Sequence, residues 1–441
     1  MASLYKAVLE STAKRARPST ALPNRFHLAT EQMTGAEYKH LQGKRVGLVS
    51  LTPYPGDPRP RRAADVFVRQ GMNVDYICVT FGKAPLHEKT NGINVFRVPM
   101  ACERGGKVAY AYKYSAFILA SAVILGARLC QRRYDLIYIN NMPDILVVSA
   151  LLPKMLGAKV ILDLHDPMPE LMETIFVKDP NSTGVRLIKW LEKWSMARAD
   201  QVLTVNKACQ RIFAARSCPL EKIGVIMNSP DGSIFPFRPV RSRPVPNRNG
   251  NAPFVVMYHG TLVERNGVDL AIEAVTRVRT KVPTVQLHIY GWTTPFLEKV
   301  MQSVRDRGME QSVLYLGSKS MEELVNVIDA CDVGVIPNHR NAFTEINTPT
   351  RIFEYLALGK PVIAPRTPGI QDYFDEDSLL FFEAGKADEL AERIEFVASH
   401  RSEALRITER GQQVYKAHSW KQERQTLVSV IASLLPADKS Y

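Results

Sequence analysis

The 441-residue sequence predicts an α/β protein of two Rossmann-like, doubly wound parallel-sheet domains facing across a cleft. Three observations predict it. Short β-branched, apolar runs alternate along the chain with segments of helical period, the pattern of strands buried on both faces of a parallel sheet. The alternation stops between Asn228 and Pro253, where SPDGSIFPFRPVRSRPVPNRNGNAP is dense in Pro, Arg and Asn, and then resumes. The length is about three times the ~150-residue prior for one domain, enough for two cores.

Taken in order, residues 1–44 are basic and weakly periodic and are read as an N-terminal extension. The first domain, 45–228, holds RVGLVSL (45–51), a helix from Arg61 to Gln70, VDYICVT (74–80), INVFRVP (93–99), a helix over 110–131, LIYI (136–139), a helix near Ile145–Leu156, KVILDL (159–164), a helix near Gly184–Ala197 and QVLTV (201–205). Its longest uncharged apolar run, Tyr114–Ala127 (YSAFILASAVILGA), is shorter than the ~20 residues of a membrane span. It is read as a buried helix, with a membrane-contacting segment as the alternative. Residues 229–253 form the linker. The second domain, 254–418, repeats the alternation with FVVMYHG (254–260), a helix 267–280, VQLHIYG (285–291), a helix 294–308, VLYLG (313–317), a helix from Met321 to Ala330, VGVIPN (333–338), a helix 349–358, PVIAP (361–365), LLFFE (379–383) and a helix 386–400. In the final segment, 419–441, an amphipathic helix from Trp420 to Leu435 is expected to return to the first domain. No internal repeat with a period of 20–50 residues is visible, which excludes a solenoid.

Lys and Arg number 57 against 44 Asp and Glu, a net charge of +13 that favours anionic partners: phosphate-bearing small molecules, acidic lipid surfaces or nucleic acid. Nucleic acid is set aside, because no recognised binding module or aromatic-basic platform accompanies the charge. The six cysteines never fall as C-x-x-C, and no His pair stands near them at metal spacing. Neither a disulfide framework nor a zinc site is therefore signalled, as suits a reducing cytosol. Residues 1–19 lack an apolar stretch of signal-peptide length, which predicts retention inside the cell.

Open parallel sheets bind ligands beyond the carboxyl ends of their strands, so the clusters that follow strands carry the functional reading. After KVILDL stand His165 and Asp166. An imidazole there can bond a substrate hydroxyl or move a proton, and Asp166 can orient it or cap the next helix. After FVVMYH come Gly260, Thr261, Arg265 and Gly267: the glycines allow close backbone approach, and the Arg265 fork matches a diphosphate. Neither a G-x-G-x-x-G nor a Walker loop is present. In Glu345-Ile346-Asn347-Thr348-Pro349-Thr350-Arg351-Ile352-Phe353-Glu354, Pro349 suits a helix start and Arg351 and Glu354 lie on neighbouring parts of one face, fit for a diphosphate and a ribose diol. Asp375-Glu376-Asp377 is a literal D-x-D read as a solvated turn, and no metal is assigned.

These clusters resemble the retaining glycosyltransferases of the GT-B fold, family 4 (glycosyl transferases group 1) type. The resemblance rests on HGTLVERNGVDLAIEA (259–274), HIYG (288–291), GSKSMEELVNVIDACDVGVIPN (317–338) and PTRIFEYLALGKPVIA (349–364), with GDPRPRRAADVFVRQGMNVDYI (56–77) and ILDLHDPMPEL (161–171) in the first domain. It implies a sugar transferase that moves a hexosyl group from a UDP- or GDP-linked donor to a glycan or lipid-linked acceptor, with retention and without a metal or other cofactor, in bacterial surface-polysaccharide synthesis. By that likeness Glu354 would hold the ribose, Arg265 the diphosphate, Arg351 a nearby phosphate or the helix frame, His165 the donor sugar, and the Asn347 and Thr348 amides the diphosphate or sugar. The sequence departs from the pattern at Ile346, where an acid is usual and Glu345 is only a displaced substitute, and at Thr261 and Asn266, where Arg and Lys are common.

The acceptor is expected near Gly56, Asp57, Arg59 and Arg62 and the 101–115 loop with Arg104, Lys107 and Lys113. A cytoplasmic enzyme in peripheral contact with the anionic inner face of the membrane follows from lipid-linked acceptors and the basic balance. Two other readings fit the same architecture: a nucleotide-sugar epimerase, and a catalytically silent nucleotide-sugar-binding subunit.

Overall fold

A computed structural model describes residues 38–80, 82–100, 107–176, 179, 181–240 and 252–435. The chain divides into two compact units. One contains the described residues up to Val205, Gln210–Ile226 and those from Arg424 onward, and the other contains Asn206–Cys209 and Met227–Glu423. Residues 1–37, most of the expected basic extension, lie outside the described residues, as do Arg104 and 241–251 of the expected linker.

The first unit runs β1 (Arg45–Pro53), α1 (Pro58–Arg69), β2 (Asn73–Val79), β3 (His87–Thr90), β4 (Ile93–Val98), α2 (Lys107–Leu129), β5 (Leu136–Asn140), a 3₁₀ turn (Asp144–Ala150), α3 (Leu151–Met155), β6 (Lys159–Leu164), α4 (Met168–Phe176), α5 (Thr183–Arg198), β7 (Gln201–Thr204), α6 (Lys207–Arg216), whose residues up to Cys209 group with the second unit, and β8 (Ile223–Val225). The sheet order is β3-β4-β2-β1-β5-β6-β7-β8. All pairings are parallel except the β3 edge strand, which runs antiparallel to β4 and was not anticipated from sequence. Its HEKT sequence carries no apolar alternation, so no period betrays it. The strand order reverses between β1 and β5, which makes their carboxyl ends the switch point of this sheet.

Two features of this unit depart from a simple buried core. Arg45, at the start of β1, is buried beside Asp75, with Nη2 2.6 Å from Oδ2, and the Tyr134 hydroxyl donates to the same oxygen at 2.8 Å. The charge is inside because it is paired, and removal of either partner would cost about 3–5 kcal/mol. Helix α2 forms where expected but is not a buried helix: only 17% of Tyr112–Leu129 is buried. Phe117, Ser121 and Leu125, spaced by four, face inward, and the opposite side faces out. The 101–115 acceptor loop is corrected too, since residues 107–115 are the first turns of this helix and 101–106 lie outside the described residues.

The second unit runs β9 (Phe254–His259), α7 (Val268–Val278), β10 (Val285–Tyr290), α8 (Pro295–Asp306), β11 (Val313–Tyr315), α9 (Met321–Ala330), β12 (Val333–Val335), α10 (Thr350–Ala357), β13 (Val362–Pro365), α11 (Pro368–Gln371), β14 (Leu380–Phe382), α12 (Ala387–Ser399), α13 (Arg401–Ala417) and α14 (Trp420–Leu434), whose residues from Arg424 group with the first unit. Its all-parallel order, β11-β10-β9-β12-β13-β14, reverses between β9 and β12. Alternate residues of β9 feed the two core layers: Val256 and Tyr258 join the layer under α7 and α12, and Val255 and Met257 join the layer that holds Phe353 and Tyr355 of α10. The expected linker gives its first part to this unit, because Phe235 is fully buried in that second layer and Arg238 N donates to Ala357 O at 2.7 Å.

Candidate active site

In the second unit the chain leaves β9 at His259 and turns sharply. Gly260 and Gly267 both have positive φ, 132° and 68°. A Cβ on Gly267 would stand 1.8 Å from Pro337 O, so the loop after β9 is pressed onto the segment after β12 in a way only glycine permits. His339 N donates to Arg265 O at 3.0 Å and fixes the loop from the same side. Within the loop Asn266 Nδ2 donates to Thr261 O at 2.7 Å and the Tyr258 hydroxyl donates to the same carbonyl at 2.9 Å. Asn266 thus closes the loop. The Arg265 guanidinium lies 5.8 Å from the centre of the Phe343 ring.

Helix α10 begins after Pro349 and directs Arg351 and Glu354 at this edge. Arg351 Nη1 donates to His259 O at 2.8 Å, and the guanidinium lies 4.7 Å over the Tyr258 ring, against Gly260. Of its two expected roles, the helix frame is the one these contacts describe. Glu354 is buried, and its Oε2 lies 2.6 Å from His259 Nε2, a separation that requires a proton between them. The other ring nitrogen of His259 is 3.0 Å from the Tyr355 hydroxyl. Burial, with a smaller contribution from the Arg351 charge, pushes the His259 imidazole down to about 3, so the ring is neutral near neutral pH. Glu345 forms an ion pair with Arg340 at 2.6 Å, without the alignment of a hydrogen bond. The Thr348 hydroxyl donates to Gly369 O at 2.6 Å, which holds the Asn347–Thr348 segment at the entrance to α10. Arg265, Arg351 and Glu354 are therefore all carried by elements that meet at the β9–β12 switch point.

In the first unit Asp57 caps α1 through Arg59 N, at 3.0 Å, and also takes the Arg59 side chain at 3.0 and 2.9 Å. Burial alone would raise the Asp57 carboxyl, but Arg59 prevails and holds it below its usual range. Arg62 is buried, with Nε donating to Pro58 O at 3.2 Å, and Gly56 is exposed on the loop before the cap. One correction concerns His165. The carboxylate bonded to its ring at 2.9 Å is Asp163, two residues earlier, while Asp166 lies 4.0 Å from Arg59. Residues i and i+2 of a strand point to one side, which is why Asp163 and not the adjacent acid meets the ring. Asp163 also takes the Tyr138 hydroxyl at 2.6 Å and Asn140 Nδ2 at 3.4 Å, and the His165 amide donates to Asn141 Oδ1 at 2.9 Å. Burial would raise the Asp163 carboxyl, yet the His165 ring and these donors hold it low.

Asp375-Glu376-Asp377 is a turn whose acids pair locally: Asp375 accepts from Ser378 at 2.7 Å, Glu376 pairs with Arg366, and Asp377 meets Arg410 at 2.8 Å. Among the described residues no three His, Cys, Asp or Glu side chains converge as metal ligands. Sequence reasoning gave no role to Asp163 or His259. The two-residue spacing could have disclosed the first. The second meets a carboxylate 95 residues away, for which one sequence holds no local signal.

Residues 42–229 match the family model described as glycosyl transferase 4-like domain, and residues 241–414 match glycosyl transferases group 1. The chain belongs to the GT-B glycosyltransferase superfamily. A putative colanic acid biosynthesis glycosyltransferase of Escherichia coli K12 is 25% identical over 181 residues, 41% of this chain and 43% of that protein. An amylovoran biosynthesis glycosyltransferase of Erwinia amylovora is 24% identical over 183 residues, again 41% and 43%. The matches thus span less than half the length of these relatives. Among solved structures, a sucrose-phosphate synthase from Thermosynechococcus elongatus shares the GT-B fold with a TM-score of 0.69 over 90% of this chain and 100% of that one, at 17% identity. Anabaena HepE in complex with UDP-glucose gives 0.64 over 88% and 99%, also at 17% identity.

Proposed function

We propose that the chain is a retaining family 4 glycosyltransferase that moves a sugar from a UDP- or GDP-linked donor to a glycan or lipid-linked acceptor of a bacterial surface polysaccharide. The observation that carries this reading is the convergence of the Arg265 loop and the Arg351–Glu354 helix face at the β9–β12 switch point. The Arg265 loop, the start of α10 and a buried carboxylate at strand ends suit a nucleotide diphosphate: cation and amides for the phosphates, carboxylate for the ribose diol. HepE's complex with UDP-glucose and the polysaccharide relatives support the same choice.

The chemistry follows from charge. As the C1–O bond of the donor breaks, the ring gains positive charge and the leaving diphosphate gains negative charge, so fixed positive groups at the phosphates lower the barrier. Arg265 and the Asn347 and Thr348 amides have that role in this reading, and no cofactor or metal is assigned. The acceptor oxygen attacks from the face that the phosphate leaves, and the phosphate takes its proton, which gives retention. His165, with Asp163 bonded to its ring, acts at the donor sugar, and Gly56, Asp57, Arg59 and Arg62 line the acceptor side. The enzyme works in the cytoplasm at the inner face of the membrane.

The test is a thermal-shift panel of UDP- and GDP-sugars on the wild type and on Arg265→Ala and Glu354→Ala. A donor raises the melting temperature of the wild type with concentration, and each variant weakens donor binding about 10–100-fold, the worth of one charge-assisted hydrogen bond. Unchanged donor binding in both variants would remove this site. Release of altered free sugar without an acceptor would identify the epimerase instead.

A further inference from the structure

Eight of the twelve large apolar side chains that stand exposed among the described residues belong to the first unit's α2, α3 with its following residue, and α5. Exposed apolar side chains are ordinarily scattered, and a concentration of this kind marks an interaction surface. On α2 the outward stripe runs Tyr112, Ser115, Leu119, Val123, Ala127 and on to Cys130, in steps of three and four. Tyr112 is 74% exposed, Leu119 67% and Val123 61%, and no member of the stripe is charged. Tyr112–Leu129 is long and apolar enough to cross a membrane by length and composition. Its inward stripe of Phe117, Ser121 and Leu125 is buried, however, and α2 packs on β1, β4 and the Asp144–Ala150 turn, so the helix lies along the surface of the unit.

The neighbouring helices extend the patch. Helix α3 follows that turn directly and packs beside α2, with Leu152 next to Gly126. Met155, 83% exposed, and Leu156 stand beyond it. Helix α5 packs on the same turn and turns Leu187 and Trp190 outward. The crossovers β4 to β5, β5 to β6 and β6 to β7 all advance in one direction along the sheet, and right-handed connections then place their helices on one side.

Charge selects the partner. No Asp or Glu occurs from Lys107 to Arg133 or in α3. The one acid of α5, Glu192, is buried against Arg216. Around the apolar face Arg132, Arg133, Lys159, Arg186 and Lys193 are exposed. An apolar band with aromatic side chains at its edge and cations at neighbouring exposed positions, its half-buried acids Asp135 and Asp200 already paired with Lys44 and Lys154, matches the headgroup boundary of an anionic bilayer, where the apolar side enters the acyl edge and the cations meet lipid phosphates.

We propose that the outer face of α2, α3 and α5 docks on an anionic phospholipid bilayer without crossing it. This rests on the surface itself and not on the transferase reading. The test is flotation of the full chain with phosphatidylcholine vesicles and with phosphatidylcholine–phosphatidylglycerol vesicles (7:3), at 50 mM and 500 mM salt, alongside Leu119→Glu/Val123→Glu and Arg132→Glu/Arg133→Glu. The wild type binds the anionic vesicles at least tenfold more strongly than the neutral ones, and salt weakens binding. Leu119→Glu/Val123→Glu loses at least tenfold in binding while its melting temperature and nucleotide-sugar thermal shift stay as in the wild type. Arg132→Glu/Arg133→Glu loses binding chiefly at low salt. No flotation at low salt, or equal flotation of Leu119→Glu/Val123→Glu, would overturn the proposal. So would self-association in sedimentation that those two substitutions abolish without any vesicle binding, since the face would then pair two copies of the chain.

Discussion

Each unit places a carboxylate–imidazole pair at the carboxyl end of its parallel sheet, and the two pairs are built in opposite senses. In the first unit the strand supplies the acid, Asp163, and the ring of His165 lies 2.9 Å away just beyond the strand. In the second the strand supplies the ring, His259, and the acid, Glu354, comes from α10 at 2.6 Å. Both members of the first pair are buried to the same degree, while in the second the strand member is the more buried, His259 being 3% exposed against 7% for Glu354. The strand members reach into the layer around the sheet, Asp163 through Tyr138 and Asn140 and His259 through Tyr355. A charged Asp163 orients an imidazole, and a neutral His259 shares a single proton with Glu354.

The largest effect should come from breaking the first pair. Asp163→Ala leaves the Tyr138 hydroxyl, Asn140 and the His165 ring without their common acceptor in a buried layer, and about 3–5 kcal/mol of stability is lost. Urea unfolding measures it through the midpoint, with the slope unchanged. A loss under about 1 kcal/mol would mean that Asp163 is not the anchor of this strand end.

The second pair should break at a smaller cost and show its role in binding. His259→Leu leaves Glu354 without the ring that shares its proton, with about 2–3 kcal/mol lost and donor affinity reduced about tenfold or more. His259→Gln keeps an N–H donor in reach of Glu354 and should recover most of both. If Gln behaves like Leu in stability and in nucleotide-sugar titration, the ring acts by shape and not by its hydrogen bond.

The contrast also explains what the sequence disclosed. Strand positions were legible because continuous apolar runs between helices leave few alternatives, and β9 and β10 fall within a residue of the expected runs. The Arg265 loop and the helix after Pro349 were legible because glycine and proline act on the local backbone. Asp163 was half legible, through its spacing to His165. The His259–Glu354 pair was not, because a long-range contact depends on the order β9-β12-β13, which no local period encodes. The outward face of α2 was hidden for a related reason: a helix apolar all round looks the same in sequence whether one side or every side is covered.

The finest difference between the pairs is their pH dependence. The folded state lowers both pKa values, so each group contributes stability that is complete above its unfolded pKa and disappears as pH falls toward its folded one. For His259 the window runs from about 6.5, the ordinary histidine value, down to about 3. As pH drops through it the unfolded chain takes up a proton that the buried ring refuses, and stability falls by up to about 1.4 kcal/mol per pH unit. For Asp163 the window opens only below the ordinary aspartate value of about 3.9. Between pH 7 and 4.5 the slope therefore belongs to His259 alone of the two. Urea unfolding of the wild type, His259→Gln and Asp163→Asn across that range should give a shallower slope for His259→Gln and an unchanged slope, at lower overall stability, for Asp163→Asn. Equal slopes for the wild type and His259→Gln would show that the ring takes its proton in the folded state, next to a charged Glu354, and the opposite construction of the two pairs would no longer hold.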